Sequence, residues 1–363
     1  MKEKRSVSMV ELFYDLIFVY AISQMSEVLL VAFEDQGLYL DAIIKYCIVV
    51  LSFWSVWTYQ TVYNNRFFKG SVINYIFILL NMFIVMVLSQ SINFHFQETF
   101  FPFVLCTTLL YSIVLLEYCI TFYSSNSALE KKFIISFIII LSIFISVSLV
   151  ALIVPEEIRL IFNGVAILII SFLPIMFKER IKSVSVDFEH LTERYSLLVI
   201  LFFGESIVTV TKTINLTSIH ITSFFYFLII IALFSIYSLI HTKGIEKNRQ
   251  TGGLILIHMH YFVILSIGFV SILLEENIHQ EINNAVFSIF LTIGITVFLA
   301  ALFINWFSYS TNQITAKFMI MISVLLCLFY MNNLLIENMD IYLGMDMILL
   351  WLIFGAVYRE LKE

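Results

Sequence analysis

Charge is scarce in this sequence: only 13% of its 363 residues are Asp, Glu, Lys or Arg, against 61% hydrophobic residues. A soluble chain with that balance and a mean hydropathy of +0.99 would expose more apolar surface than water tolerates, which excludes an ordinary water-soluble domain. Proline is almost missing, with only Pro102, Pro155 and Pro174, so most helices can run unbroken. The four cysteines, Cys47, Cys106, Cys119 and Cys327, stand in none of the spacings that hold zinc or carry redox exchange. They are expected as small buried hydrophobes. There is no basic run or basic-aromatic patch, and the formal net charge is -6, so nucleic acid is not an expected partner. Equally absent are a Gly-rich phosphate loop with its Lys, a His-Glu-x-x-His pair, a Gly-x-Ser-x-Gly elbow and a paired acidic motif for a magnesium diphosphate. An ATP-driven pump is therefore disfavoured, and neither a metal nor a cofactor is expected.

What the sequence does have is apolar length. About twelve stretches of roughly 20 residues, the span of a bilayer core, are separated by short polar breaks. They predict an all-α polytopic integral membrane protein with membrane lipid as its main partner. The 37 Phe and 18 Tyr suit helices that face lipid and rings that anchor at interfaces. The opening MKEKR and the apolar run after it imitate a signal peptide, but no small-residue cleavage site follows and the run carries Glu11, Asp15 and Glu27. A permanent first helix is expected instead. With the N-terminus inside, all of the 20 Lys and Arg except Lys45, Arg159 and Lys212 fall on the cytoplasmic side, and the outer breaks are acidic, as at Glu156-Glu157 and Glu275-Glu276. Both termini are thus read as cytoplasmic.

The longest inner connection, Lys178 to Arg194, falls mid-chain and reads as a linker between two six-helix halves, residues 1–182 and 183–363. An internal echo points the same way: Glu11-Leu-Phe-Tyr-Asp15 opens the first run and Glu193-Arg-Tyr-Ser-Leu197 the seventh, each leading to a polar patch. An even helix number per half makes the two repeats similarly oriented, related by an axis along the membrane normal.

Val10-Glu-Leu-Phe-Tyr-Asp15-Leu-Ile-Phe-Val19, Trp54-Ser-Val-Trp57-Thr-Tyr59, Tyr63-Asn-Asn-Arg66-Phe67, His190-Leu-Thr-Glu193-Arg194-Tyr195 and Gly204-Glu205-Ser206 occur in this order along nearly the whole chain. The set resembles the bacterial low-temperature-requirement A family. The resemblance implies a multi-pass protein of the bacterial cytoplasmic (inner) membrane, with a link to growth in the cold and stress, and with no established biochemical activity. Ser196 stands where the family usually has Gly, and the match thins beyond His258.

Ionisable groups within apolar runs are the informative residues, because a charge at a helix centre costs roughly 2.5–3.5 kcal/mol even on a lenient scale. Glu205 is the strongest case. It lies twelve residues past Glu193, about 18 Å along a helix, between Gly204, which permits close approach of a helix or ligand, and the hydroxyl of Ser206. It reads as a ligand or proton site, or as hydrogen-bonding glue between helices. Glu11 and Asp15, four residues apart, share a helix face near the inner boundary, with Arg66 and Arg194 as cations at matching depth. An ion-paired lock and a proton or cation site both fit. His258 is a candidate proton relay or polar contact to Asp15 or Glu193. It cannot share a metal with His260, which lies on roughly the opposite side of the same helix. Glu117 falls near the inner end of its run, where it can reach the interface. Trp54 and Trp57 sit deeper than an interfacial belt and either pack the core or line a cavity.

A twelve-span chain with two parallel halves is best matched by a secondary, proton-coupled transporter of an unidentified small molecule, in which Glu205 changes protonation or binds a cationic group and Asp15, Glu193 and a basic partner form an inner gate. An enzyme is the less favoured class. The alternatives are a membrane enzyme or flippase-like protein acting on lipid, and a non-catalytic cold or stress protein.

Overall fold

The computed structural model describes residues 7–34, 39–92, 96–214, 221–279, 282–311, 314–336 and 338–362, and every regular element among them is a helix. In order these are α1 (Met9–Glu34), α2 (Tyr39–Phe67), α3 (Val72–Gln90), α4 (Phe96–Ser124), α5 (Ala128–Ala151), α6 (Glu156–Met176), α7 (Lys178–Lys182), α8 (Phe188–Lys212), α9 (Ile221–Leu239), α10 (Leu254–His279), α11 (Asn284–Tyr309), α12 (Ala316–Leu335) and α13 (Met339–Glu360). A π-helical turn, Ile240–Gly244, continues α9. Eleven of the described helices, α2 to α6 and α8 to α13, are long and apolar enough to cross a membrane. The acid-bearing α1 is 26 residues long. Each apolar run read from the sequence lies on one long helix, and the five-residue α7 is an addition.

The outward faces are as apolar as the inside. Leu79, Leu80, Phe83 and Met86 on α3 and Ile320, Val324 and Leu328 on α12 are all exposed, which lipid accepts and water does not. Cys106 is buried as expected, but Cys327 is exposed, because it stands on an outward face of α12.

The chain clusters into two compact units, Met1–Leu198 with Asn248–Ile257, and Val199–Lys247 with His258–Glu363. In the first, α2 packs against α1, α4 and α6, and it is buried without a break from residue 49 to residue 65. In the second, α13 packs against α9 and α12, and α11 against α12 and the π turn.

Several helices run further than their apolar cores. The connection from Lys178 to Arg194 is not a loose linker: α7 packs on α5 and α6, Ile181, Val186 and Phe188 are buried, and α8 has already begun at Phe188. The Asp187 carboxylate accepts the His190 backbone N–H at 3.1 Å, satisfying one of the donors a helix start leaves free. Likewise α10 continues to His279, so Glu275 and Glu276 are buried helix residues rather than an open break, and Lys212 pairs with Glu275 at 3.2 Å. Gly253, at φ +71, leads into α10, and a Cβ there would lie 2.6 Å from Leu191 Cδ2 of α8. The side chain of Glu27 lies outside the described residues.

Candidate functional site

The first unit buries a charged cluster where the start of α1, the end of α2 and the start of α8 meet. Asp15 Oδ1 accepts two hydrogen bonds of 2.7 Å, one from Arg194 Nη2 and one from the Trp57 indole N–H. The Arg194 guanidinium also lies over the Trp57 ring, 5.4 Å from its centroid, and Nη1 stands 4.0 Å from Glu11 Oε1, an ion pair too long for a hydrogen bond. Glu11, Asp15, Trp57, His190 and Arg194 are each no more than 3% exposed. Burying such charges is tolerable only when they are paired and hydrogen-bonded.

Helical periodicity supplies the α2 side of the cluster. Trp57, Thr61 and Asn65 recur every four residues and so share one face. Trp57 holds Asp15, and Thr61 Oγ1 lies 3.5 Å from Arg194 Nη2. Asn65 clasps the residue before α8: its Oδ1 accepts the Asp187 N–H at 3.0 Å, while its Nδ2 donates to the Asp187 carbonyl at 2.9 Å. The same Nδ2 lies 3.0 Å from His190 Nδ1. With the amide oriented by Asp187, His190 Nδ1 can only accept, so the neutral ring carries its proton on Nε2. That atom faces Glu11 Oε2 at 3.6 Å.

Of the residues singled out from the sequence, Glu11, Asp15 and Arg194 come together as anticipated. Arg66 does not join them. Its guanidinium lies 4.6 Å from the Phe133 ring centroid and reaches the carbonyls of Val184 and Val62 at 3.4 Å, because position 66 is off the face shared by 57, 61 and 65. Glu193 is exposed, although both of its chain neighbours are buried.

Within the second unit, Ser206 Oγ donates to the Phe202 carbonyl at 2.9 Å and accepts from Ser271 Oγ at 2.5 Å, tying α8 to α10. Glu205 is half-exposed and its carboxyl makes no hydrogen bond or ion pair among the described residues. Gly204 is exposed, and no atom lies within 4 Å of where its Cβ would be, so the close approach expected there is not made within the structure. His258 is buried, and His260 Nε2 lies 3.1 Å from the Tyr237 hydroxyl.

A charged cluster of Glu-x-x-x-Asp against Arg, completed by a Trp and a His, occupies the very segments whose order resembled a known family. The chain matches the family described as bacterial low temperature requirement A protein (LtrA) over residues 6–354. It belongs to that family. No curated protein and no solved structure matches the chain.

Two further acids of this LtrA-family chain are buried in ways the sequence did not disclose. Glu117 does not reach the interface: it is 1% exposed, and its Oε2 accepts from Gln60 Nε2 at 3.0 Å. Asp346, two turns into α13, is fully buried and accepts from Asn332 Nδ2 at 2.7 Å. His190 and Asn65 also lie in quoted segments without having been assigned a role. The available signal was the four-residue recurrence along α2.

Proposed function

We propose that this LtrA-family protein is a secondary transporter of a small molecule in the bacterial inner membrane, with twelve spans, both termini inside and proton coupling through Glu11. Charge arithmetic supports this reading. Among the described residues, two carboxylates, one guanidinium and an imidazole whose Nδ1 accepts give the buried cluster one negative charge in excess. A proton taken up by Glu11, which faces His190 Nε2, neutralises it without disturbing the Asp15, Arg194 and Trp57 contacts. In the proposed topology the cluster lies at the cytoplasmic ends of its helices, where a proton can enter. Glu205, whose carboxyl has no partner among the described residues, is the acid open to the cationic group of a substrate.

Proteoliposomes containing trapped pyranine test the assignment. They are exposed in turn to amino acids, amines, organic acids and sugars. One solute class is expected to move protons with the parent protein and not with Glu11→Gln, while the variant elutes unchanged from a sizing column. If no class moves protons with the folded parent, the transporter assignment is wrong. If Glu11→Gln couples normally, the cluster is a structural lock, which the saturated Asp15 Oδ1 would also serve.

A further inference from the structure

On the face of α2 that carries Gln60, Tyr63 and Phe67, a second site opens that the charged cluster does not use. A cavity of about 160 Å³, the share of about five waters at roughly 30 Å³ each, lies between the α2–α3 connection and α4 and has Glu117 among its lining residues. Lys69, Ser71 and Ser124 line it and are exposed, as are the apolar Ile73 and Ile120, so its mouth has a polar and an apolar side. Tyr63, Phe67 and Phe77 contribute aromatic wall.

At the inner end, the amide of Gln60 is fully committed. Its Oε1 accepts from Asn81 Nδ2 at 2.7 Å, and its Nε2 donates to both Asn64 Oδ1 and Glu117 Oε2 at 3.0 Å. That leaves Glu117 Oε1 buried with no hydrogen-bond partner in a residue that lines the cavity. The Tyr63 hydroxyl, 2.8 Å from Thr121 Oγ1, adds a polar edge beside it. An uncommitted carboxylate oxygen, a hydroxyl edge and three aromatic rings form the environment that recognises an ammonium-type cation: one charge-assisted hydrogen bond from N–H and attraction to ring faces.

We infer that the Glu117 cavity is a binding site for a small ammonium-type cation, ammonium itself or a short primary amine, entered beside Lys69. The exposed Lys69 ammonium at the mouth opposes entry, so the site binds weakly at low ionic strength and more tightly once that charge is removed. This site is independent of the proposed proton site at Glu11.

Thermal unfolding of the full-length detergent-solubilised protein, followed by intrinsic fluorescence, tests the inference with methylammonium chloride as probe and sodium chloride at equal ionic strength as control. Saturable stabilisation by methylammonium and not by sodium is expected. The effect should vanish in Glu117→Gln, weaken at least threefold in Phe77→Leu and strengthen about twofold in Lys69→Ala. Ser124→Trp, which plugs the mouth and leaves the carboxyl network intact, should abolish it as well, and decides the matter if Glu117→Gln does not fold. Equal stabilisation by the two salts, or an undiminished methylammonium response in Ser124→Trp, overturns the site.

Discussion

Asp15 and Asp346 are both buried aspartates that accept a 2.7 Å side-chain hydrogen bond, yet they are held in opposite ways. Asp15 is bonded to a guanidinium and an indole, and among the described residues the guanidinium has no other comparably close acid. Asp346 is bonded to the amide of Asn332, while nearby Tyr342 turns its hydroxyl to the Ser288 carbonyl and to Thr292. A neutral partner makes the same short contact whether its acceptor is charged or not. A cationic partner makes the two residues depend on each other, because removing either leaves a buried charge uncompensated.

The largest expected effect comes from breaking the charged arrangement. Arg194→Met should cost about 3–5 kcal/mol, seen as loss of most folded protein on fluorescence-detected size exclusion. Arg194→Lys should recover only part of it, because a lysine cannot lie flat over Trp57 while bonding Asp15. Next is the glycine that seats the start of α8. Gly253→Ala combines positive φ with a 2.6 Å contact to Leu191 and should cost about 1–3 kcal/mol, with Leu191→Ala in the same chain relieving the steric share. Trp57→Phe keeps the ring and removes the N–H from Asp15, for a loss of about 1.5–3 kcal/mol in a denaturant or thermal series. Asp346→Asn, which keeps an acceptor for Asn332, should change stability by about 1 kcal/mol or less in the same series, whereas Asp15→Asn should approach the Arg194→Met loss. Equal losses for the two Asp→Asn variants would erase the distinction. The smallest effect is expected at Gly204→Ala, where the added methyl meets nothing and helix propensity gains at most about 1 kcal/mol.

The membrane helices were legible because apolar length is written locally, residue after residue. The pairing of Asp15 with Arg194 was legible for a different reason: intramembrane charges are few, and those at matching depth have few possible partners. Arg66 met the same test of depth and failed it, because depth says nothing about which helix face a side chain occupies. The burial of Glu117 and Asp346 was hidden for the same reason. Glu117 stands near the inner end of its run, but it faces Gln60 of α2 and is buried there, and Asp346 was not singled out, because the sequence does not say that it faces Asn332 of α12. The indole of Trp57 was ambiguous, since the same ring packs a core or donates a bond, and only its neighbour on α1 decides.

The contact between Asp15 and Arg194 joins residues 179 positions apart. At roughly 5–20 residues per second of synthesis, about 9 to 36 s pass between the emergence of the acid and that of its cation. Over that interval α1, with its four acids, and α2, with its indole and amides, have been made but Arg194 has not. The Asp15–Arg194 contact can form only after the start of α8 has been made. Completion of the cluster therefore waits on a residue in the middle of the chain.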